Sequence, residues 1–433
     1  MDKIKVIYNV NLIANIKDAH WARSGVFFAA ACLLKEFARR DDIELVLYYE
    51  TDNNKLAIKN LKYWCEFLPK CIVKKEALSQ KAIIKTVIKK IIGQKCTSLL
   101  KKFLARRIKA SKNISVVSST EKAFYLAPAY EFRNDFMKDA NICKFSIAHD
   151  VMPLVFPQYY PNSQEGWLES FKMFDNYFAI SSYTKTDFLK HLPHLKPENI
   201  IVTPLACDER FKPANADEIA NARNKYNIPE NKKYIFSLCT LEPRKNLIRA
   251  VKCFANFISK NNIDDLVFVL GGAHWDAFIE KLENEIGSLD ENIKSKILKI
   301  GYVDDSDQAA LYSGALFFVY TSQYEGFGLP PLEAMSCGTP VITSNNSSLP
   351  EVVGQAAIMI DYDDDAAHIK AYESYYYNEN LRQENSKKGL ERAKLFSWEK
   401  CADIMITEMK RRSSISHVLI GFIKKRIINF KKL

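Results

Sequence analysis

The chain has 433 residues, 48% of them hydrophobic and 26% charged, with a formal net charge of +11. That is enough for two or three domains with sizeable cores, and it excludes a peptide hormone, a disulfide-stapled module and a fibrous or disordered chain. The longest apolar runs, such as Val26 to Leu34, fall short of the about 18 to 20 residues that span a bilayer, so no transmembrane helix is expected.

Met1 to Lys5 passes directly into an apolar run, Lys5 to Leu12, without the regions of a secretory signal, so residence in the cytosol is the expectation. A loop with Gly25 precedes a helical stretch, Val26 to Arg39, and Ile43 to Tyr49 is the next expected strand. Between Glu76 and Glu121 no acid occurs, and eleven basic residues do, from Lys81 to Lys112; eight more follow Glu408. Without these two intervals the body carries 43 basic and 51 acidic residues, a balance of −8, so the basicity is local. Both intervals are amphipathic. Ile83, Ile84, Val87, Ile88, Ile91 and Ile92 recur at helical spacing, as do Ile415, Leu419, Phe422, Ile423 and Ile427 in the tail. An anionic membrane surface is the expected partner of such helices, and packing of the apolar faces on the protein is the alternative. Nucleic acid is not expected, because no recognition motif accompanies the lysines.

Strand-length runs at Ile114 to Ser118, Cys143 to Ala148 and Tyr177 to Ile180 complete the first half, and Pro204 to Pro213 resembles a linker. The second half offers Tyr234 to Leu238, Leu266 to Leu270, Ile297 to Ile300, Ala315 to Tyr320, Pro340 to Thr343 and Ala357 to Ile360, with helical sequence between them. This alternation predicts an α/β chain of two tandem Rossmann-like, doubly wound domains with an interdomain cleft. The expected boundaries are 1–205 for an acceptor domain with a basic amphipathic insertion at about 77–120, 206–398 for a nucleotide-sugar-binding domain, and 399–433 for a C-terminal helix and basic tail. Ligands of such sheets sit beyond the carboxyl ends of the strands. Ten cysteines, without a C-x-x-C pair, are expected to be reduced and mostly buried.

The strongest chemical signal is Tyr324-Glu325-Gly326-Phe327-Gly328-Leu329-Pro330-Pro331-Leu332-Glu333-Ala334, which follows a strand and opens a helix. Its glycines permit close backbone approach, its prolines suit a first helical turn, and Gly338 suits the helix end. Backbone N–H groups there suit an anion such as a diphosphate, and Glu325 and Glu333 suit sugar hydroxyls on either side of it. The alternative is a tight turn with two solvated acids. A second loop, Thr240-Leu241-Glu242-Pro243-Arg244-Lys245-Asn246, offers Arg244 and Lys245 as the positive charge that a departing nucleoside diphosphate needs.

Together these motifs resemble glycosyltransferase family 4 over about residues 144–400. Ile147 to Pro153, Ala179 to Thr184, Ile300 to Val303 and Ser344 to Val352 agree as well. The resemblance implies a GT-B fold and transfer of a hexose from a nucleotide sugar with retention of configuration, without metal or other cofactor. It also implies that Glu325 contacts the donor sugar, Glu333 the ribose, Arg244 and Lys245 the diphosphate, and that Gly326, Phe327, Gly328 and Leu329 supply backbone contacts. Tyr302 and Val303 would flank the base, and His149 would face the reacting sugar. Thr240 stands with Cys239 where the family commonly has Gly-Arg, Gly25 stands in place of a two-glycine loop as a diphosphate-side candidate, and Ala206 replaces a common linker glycine.

Asp361-Tyr362-Asp363-Asp364-Asp365 suits a divalent ion on a nucleotide sugar or, preferably, the start of a helix. The expected reaction passes a hexose from GDP-mannose or a UDP-sugar to a saccharide or lipid-linked saccharide on the inner face of the cell membrane, in assembly of a capsule, O-antigen or similar glycan. The remaining alternatives are a GT-B phosphorylase, a nucleotide-sugar epimerase, or a non-catalytic sugar-nucleotide-binding scaffold at the membrane. Oligomeric state is not legible.

Overall fold

The structure, a computed structural model, describes residues 3–16, 25–51, 53–64, 71–76, 123–130, 141–160, 164–174, 176–273 and 276–412. The expected strand at 114–118 and both basic amphipathic intervals, 77–120 and the tail beyond 412, lie outside the described residues, as do Arg23 and Ser24.

The first sheet contains β1 (Ile4–Asn9), β2 (Ile43–Thr51), β3 (Cys71–Glu76), β4 (Ala123–Ala127), β5 (Ile142–Ala148), β6 (Asn176–Ala179) and β7 (Ile200–Val202), in the order β3-β2-β1-β4-β5-β6-β7. The second contains β8 (Lys233–Leu238), β9 (Leu266–Gly271), β10 (Ile297–Gly301), β11 (Phe317–Tyr320), β12 (Val341–Ser344) and β13 (Ala357–Ile360), in the order β10-β9-β8-β11-β12-β13. All five of its pairs are parallel, with Phe317 opposite Ile235 and Val319 opposite Ile342. Both sheets have the doubly wound order in which the first strand lies beside the fourth. Reversal of winding leaves a crevice at the carboxyl ends of that pair, β8 and β11 in the second sheet. The architecture is the expected pair of Rossmann-like sheets, with β3, β4 and β7 added to the strands the sequence suggested.

The chain divides into two compact units. One comprises the described residues of Met1–Ala22, Val26–Ser146 and Thr407–Leu433; the other comprises those of Arg23–Gly25 and Ile147–Ile406. In the first unit, the helix Gly25–Ala38, from Val26 onward, buries Phe27, Leu33, Leu34 and Phe37, and Tyr8 donates to the Ala30 carbonyl at 2.9 Å. Its last described turn is fastened by Lys410, whose Nζ lies 2.7 Å from Asp42 Oδ2. In the second unit, the helix Leu247–Lys260 presents Leu247, Val251, Phe254, Phe257 and Ile258 to the core, the period that makes its apolar stripe continuous. Burial of each such side chain stabilises by roughly 1.5–3 kcal/mol.

Seven cysteines among the described residues are free thiols, and four of them are buried. Among the described residues no helix is long and apolar enough to cross a membrane.

Candidate functional site

The loop after β8 is built by residues that suit its turns. Cys239 and Leu241 donate backbone N–H groups to the Gly271 and Ala273 carbonyls at 3.1 and 2.7 Å, and Thr240 between them is exposed beyond the carboxyl end of β8. Glu242 is extended, Pro243–Lys245 makes one 3-10 turn, and Asn246 takes the left-handed conformation (φ 60°) that asparagine tolerates. The Asn246 carboxamide donates to the Tyr362 carbonyl at 2.6 Å before the helix Leu247–Lys260 begins.

This turn brings the two cations to one carboxylate. Lys245 Nζ lies 2.6 Å and Arg244 Nη1 2.8 Å from the same oxygen, Glu325 Oε1, and the Tyr320 hydroxyl donates to it at 2.9 Å. Arg244 Nη1 also donates to the Tyr324 carbonyl at 2.8 Å, and Nη2 lies 2.8 Å from Glu242 Oε1. Burial alone would raise the Glu325 carboxyl, but Arg244 and Lys245 outweigh it and hold it at about 2. Burial opposes the charge on Arg244, and Glu325 and Glu242 more than restore it. Tyr320 is held neutral, first by burial and then by Glu325. The cluster therefore joins an ionised Glu325 and a charged Arg244 to Lys245 and Glu242.

The loop after β11 is fixed through hydroxyls. Glu325 N donates to Ser347 Oγ at 3.0 Å, and Ser348 Oγ lies 2.9 and 2.7 Å from the Glu325 and Phe327 carbonyls. A Cβ at Gly326 would lie 1.9 Å from the His149 carbonyl oxygen, so only glycine fits there. The Gly326 carbonyl receives the Ser181 and Thr184 hydroxyls at 2.7 and 3.0 Å, and Thr184 Oγ1 is also 3.2 Å from the His149 carbonyl. Tyr324 donates to Asp187 Oδ2 at 2.7 Å; burial raises the Asp187 carboxyl, and the Tyr324 hydrogen bond opposes that. Gly328 (φ 118°) then starts the helix Leu329–Ser336, whose first turn holds two prolines, and Gly338 (φ 77°) follows its end.

The structure thus brings Glu325, Arg244 and Lys245 into direct contact, and it seats Gly326 on buried His149. Phe327 is buried and packs edge-on against Phe396; Leu329 is half-buried, and a Cβ on Gly25 would meet Leu329 Cδ1 at 3.4 Å. Glu333 has its own partners: Tyr312 donates to Oε2 at 2.9 Å, and burial, opposed by that bond and by Arg210, raises its carboxyl to about 7. Tyr302 and Val303 follow Gly301 (φ 68°) at the end of β10; Val303 is buried and Tyr302 half-buried. Ala206 is buried in the stretch after β7. In the acidic run, Asp364 accepts from Ala367 N at 2.9 Å and caps the helix Asp365–Tyr377, while Arg249 pairs with Asp365. Among the described residues no group of three or more histidine, cysteine, aspartate or glutamate side chains is placed to hold a metal ion.

Sequence reasoning assigned no role to Glu242, Tyr320, Tyr324, Asp187, Ser181 or Thr184. The available signal was position: each stands within five residues of the carboxyl end of a strand or in the first turns of the helix that follows.

Two Rossmann-like sheets, with the glycine-rich helix start and the cationic loop at the switch point of the second, define a GT-B glycosyltransferase. Residues 218–392 match the family model described as glycosyl transferases group 1. The chain is 32% identical over 268 residues to the O-antigen chain mannosyltransferase B of Escherichia coli, a match covering 60% of this chain and 68% of that protein. It belongs to the group 1 glycosyl transferases. The serotype-specific mannosyltransferase WbdA of Escherichia coli is 29% identical over 276 residues, 61% of this chain but only 33% of that protein's length. Among solved structures, Anabaena Alr3699/HepE in complex with UDP and glucose superposes with a TM-score of 0.65 at 13% identity, over 94% of this chain and 99% of that one.

Proposed function

We propose that the chain is a retaining, metal-independent hexosyltransferase of family 4. It takes mannose from GDP-mannose, with a UDP-sugar as the second choice of donor, and passes it to a saccharide or lipid-linked saccharide in assembly of a surface glycan such as O-antigen. The observation that carries this reading is the buried, ionised Glu325 with Arg244 and Lys245 on it, on a loop whose next residue rests on His149. The mannosyl donor is supported by the names of the relatives, which are mannosyltransferases of O-antigen or serotype-specific glycans. The UDP option is supported by the UDP and glucose bound in the Anabaena protein.

In this reading Arg244 and Lys245 turn from Glu325 to the donor diphosphate, where the N–H groups at the start of the helix Leu329–Ser336 join them. Positive charge and N–H groups then stabilise the leaving nucleoside diphosphate as an acceptor hydroxyl attacks from the same face. Glu325, released, accepts from a sugar hydroxyl; Glu333 accepts from the ribose; Tyr302 and Val303 flank the base; Thr240 and Gly25 border the phosphates; His149 faces the reacting sugar. The basic intervals hold the enzyme at the inner face of the membrane.

The test is incubation of purified protein with GDP-mannose or UDP-sugars and a lipid-linked acceptor, with and without EDTA. Transfer from one donor class, unaffected by EDTA and with the donor's anomeric configuration in the product, is expected. Turnover without acceptor would indicate an epimerase, dependence on free phosphate a phosphorylase, and nucleotide binding without transfer a scaffold.

A further inference from the structure

Glu242 lies outside the residues assigned above, yet it is among the most enclosed acids of the second unit, with 4% of its surface exposed. Its backbone is fixed on both sides: the Leu241 N–H is bound to Ala273, and the Glu242 carbonyl accepts from Lys245 N at 3.1 Å. Among the described residues its carboxylate pairs with one cation, Arg244, through Nη2. Arg244 is therefore held by two carboxylates through two different nitrogens, Nη2 by Glu242 and Nη1 by Glu325. The two holds differ in kind. Glu325 Oε1 is shared with Lys245 and Tyr320 and is the group that must turn toward substrate, whereas Glu242 sits on the same short turn as the arginine. Among the described residues Arg244 Nε is buried with no hydrogen-bond partner, which leaves one side of the guanidinium with donor capacity in reserve.

We propose that Glu242 is a positioning residue, the fixed tether that keeps Arg244 aimed at the donor diphosphate when Glu325 lets go. The inference rests on the donor-site reading above. A guanidinium tethered at Nη2 by Glu242, and at Nη1 by the Tyr324 carbonyl, retains Nε and the Nη1 hydrogen that Glu325 releases for phosphate oxygens, and its orientation is settled before the donor arrives. The tether also has an electrostatic cost, because a carboxylate near a diphosphate repels it. Orientation and charge therefore predict opposite signs for its removal, and that separates them.

The experiment measures, for wild type, Glu242→Gln and Glu242→Asp, the Kd of GDP and UDP by calorimetry, the donor KM and kcat, and thermal stability. Glu242→Gln keeps an acceptor oxygen at the same reach, and nucleoside diphosphate affinity and kcat are expected within about threefold of wild type. Glu242→Asp keeps the charge but withdraws it by one methylene, and about tenfold weaker binding with a kcat loss of about tenfold or more is expected. Tighter binding in Glu242→Gln with unchanged binding in Glu242→Asp would make the residue a mere charge and overturn the proposal. A fall in melting temperature with unchanged Kd and kcat would make it structural and overturn it as well. Failure of wild type to bind any nucleoside diphosphate would overturn the donor-site reading itself; binding by wild type with no effect in Glu242→Asp overturns this inference alone.

Discussion

Lys245 Nζ lies 2.6 Å from Glu325 Oε1, eighty positions away in sequence, and both side chains are at least nine-tenths buried. Each offsets part of the other's lost hydration, Glu325 together with Arg244 and Tyr320 and Lys245 together with Tyr320, since an ion without partners in such an environment loses its hydration without replacement. Because Arg244 remains on Glu325, Lys245→Ala is expected to destabilise the protein by about 1–3 kcal/mol and to lower kcat/KM by at least about a hundredfold. Denaturant unfolding and steady-state kinetics measure the two separately. Wild-type transfer in both Lys245→Ala and Glu325→Ala would remove the pair from the mechanism.

Gly326 tests the backbone contact with His149. A methyl group placed 1.9 Å from a carbonyl oxygen forces one loop off the other, so Gly326→Ala is expected to cost more than about 2 kcal/mol and to abolish transfer. An unchanged melting temperature would show that the contact is not tight.

The two motif glutamates are expected to respond to pH in different ways. Glu325, held at about 2, stays ionised across the useful range. Glu333 is raised by burial from 4.5 to about 7. Its contribution to folding is fully present below pH 4.5 and is lost as pH rises through about 7, because the fold disfavours the ionised form. Donor binding follows the opposite course if the ionised form accepts from the ribose: KM falls as pH rises past about 7. Glu333→Gln should flatten both profiles, and a wild-type slope persisting in that variant would assign the titration to another group.

Tyr324→Phe removes the hydroxyl donated to Asp187 and leaves a buried carboxyl short of a partner. A loss of about 1–3 kcal/mol is expected, larger than for Asp187→Asn in the same background. Equal stability of Tyr324→Phe and wild type would contradict this.

The acidic run at 361–365 distinguishes a cap from a metal ligand. Asp364→Ala should cost about 1 kcal/mol through the lost bond to Ala367 N, with transfer equally insensitive to EDTA in both proteins. Metal-dependent activity lost in this variant would reverse the assignment.

Much of the second sheet is legible because its strands are short, mainly apolar runs, of which Leu266–Gly271 is uninterrupted and buried throughout, as in the interior of a parallel sheet. β3 is not, since Cys71–Glu76 holds two lysines and a glutamate and forms the edge of its sheet. β7 is three residues long, too short for a period to register, and β4 is an unbroken apolar run, Ala123–Ala127, whose lack of alternation does not tell a strand from a buried helical stretch. At the site, glycines and paired charges announce Glu325, Gly326, Arg244 and Lys245. Glu242 and Asp187 do not announce themselves, because what gives each a role is a partner about 2 or 137 positions away whose direction only the folded turn defines.

The hydroxyls of Ser181 and Thr184 converge on the Gly326 carbonyl, and Thr184 also reaches His149. Three loops from three strands thus meet at two main-chain carbonyls, held by two short hydroxyl side chains with little length to absorb a mismatch. Chimeras made to change donor preference would have to exchange 149, 181, 184 and 326 as one set. A graft of the 324–334 segment alone would carry its glutamates faithfully and still present them to the wrong place.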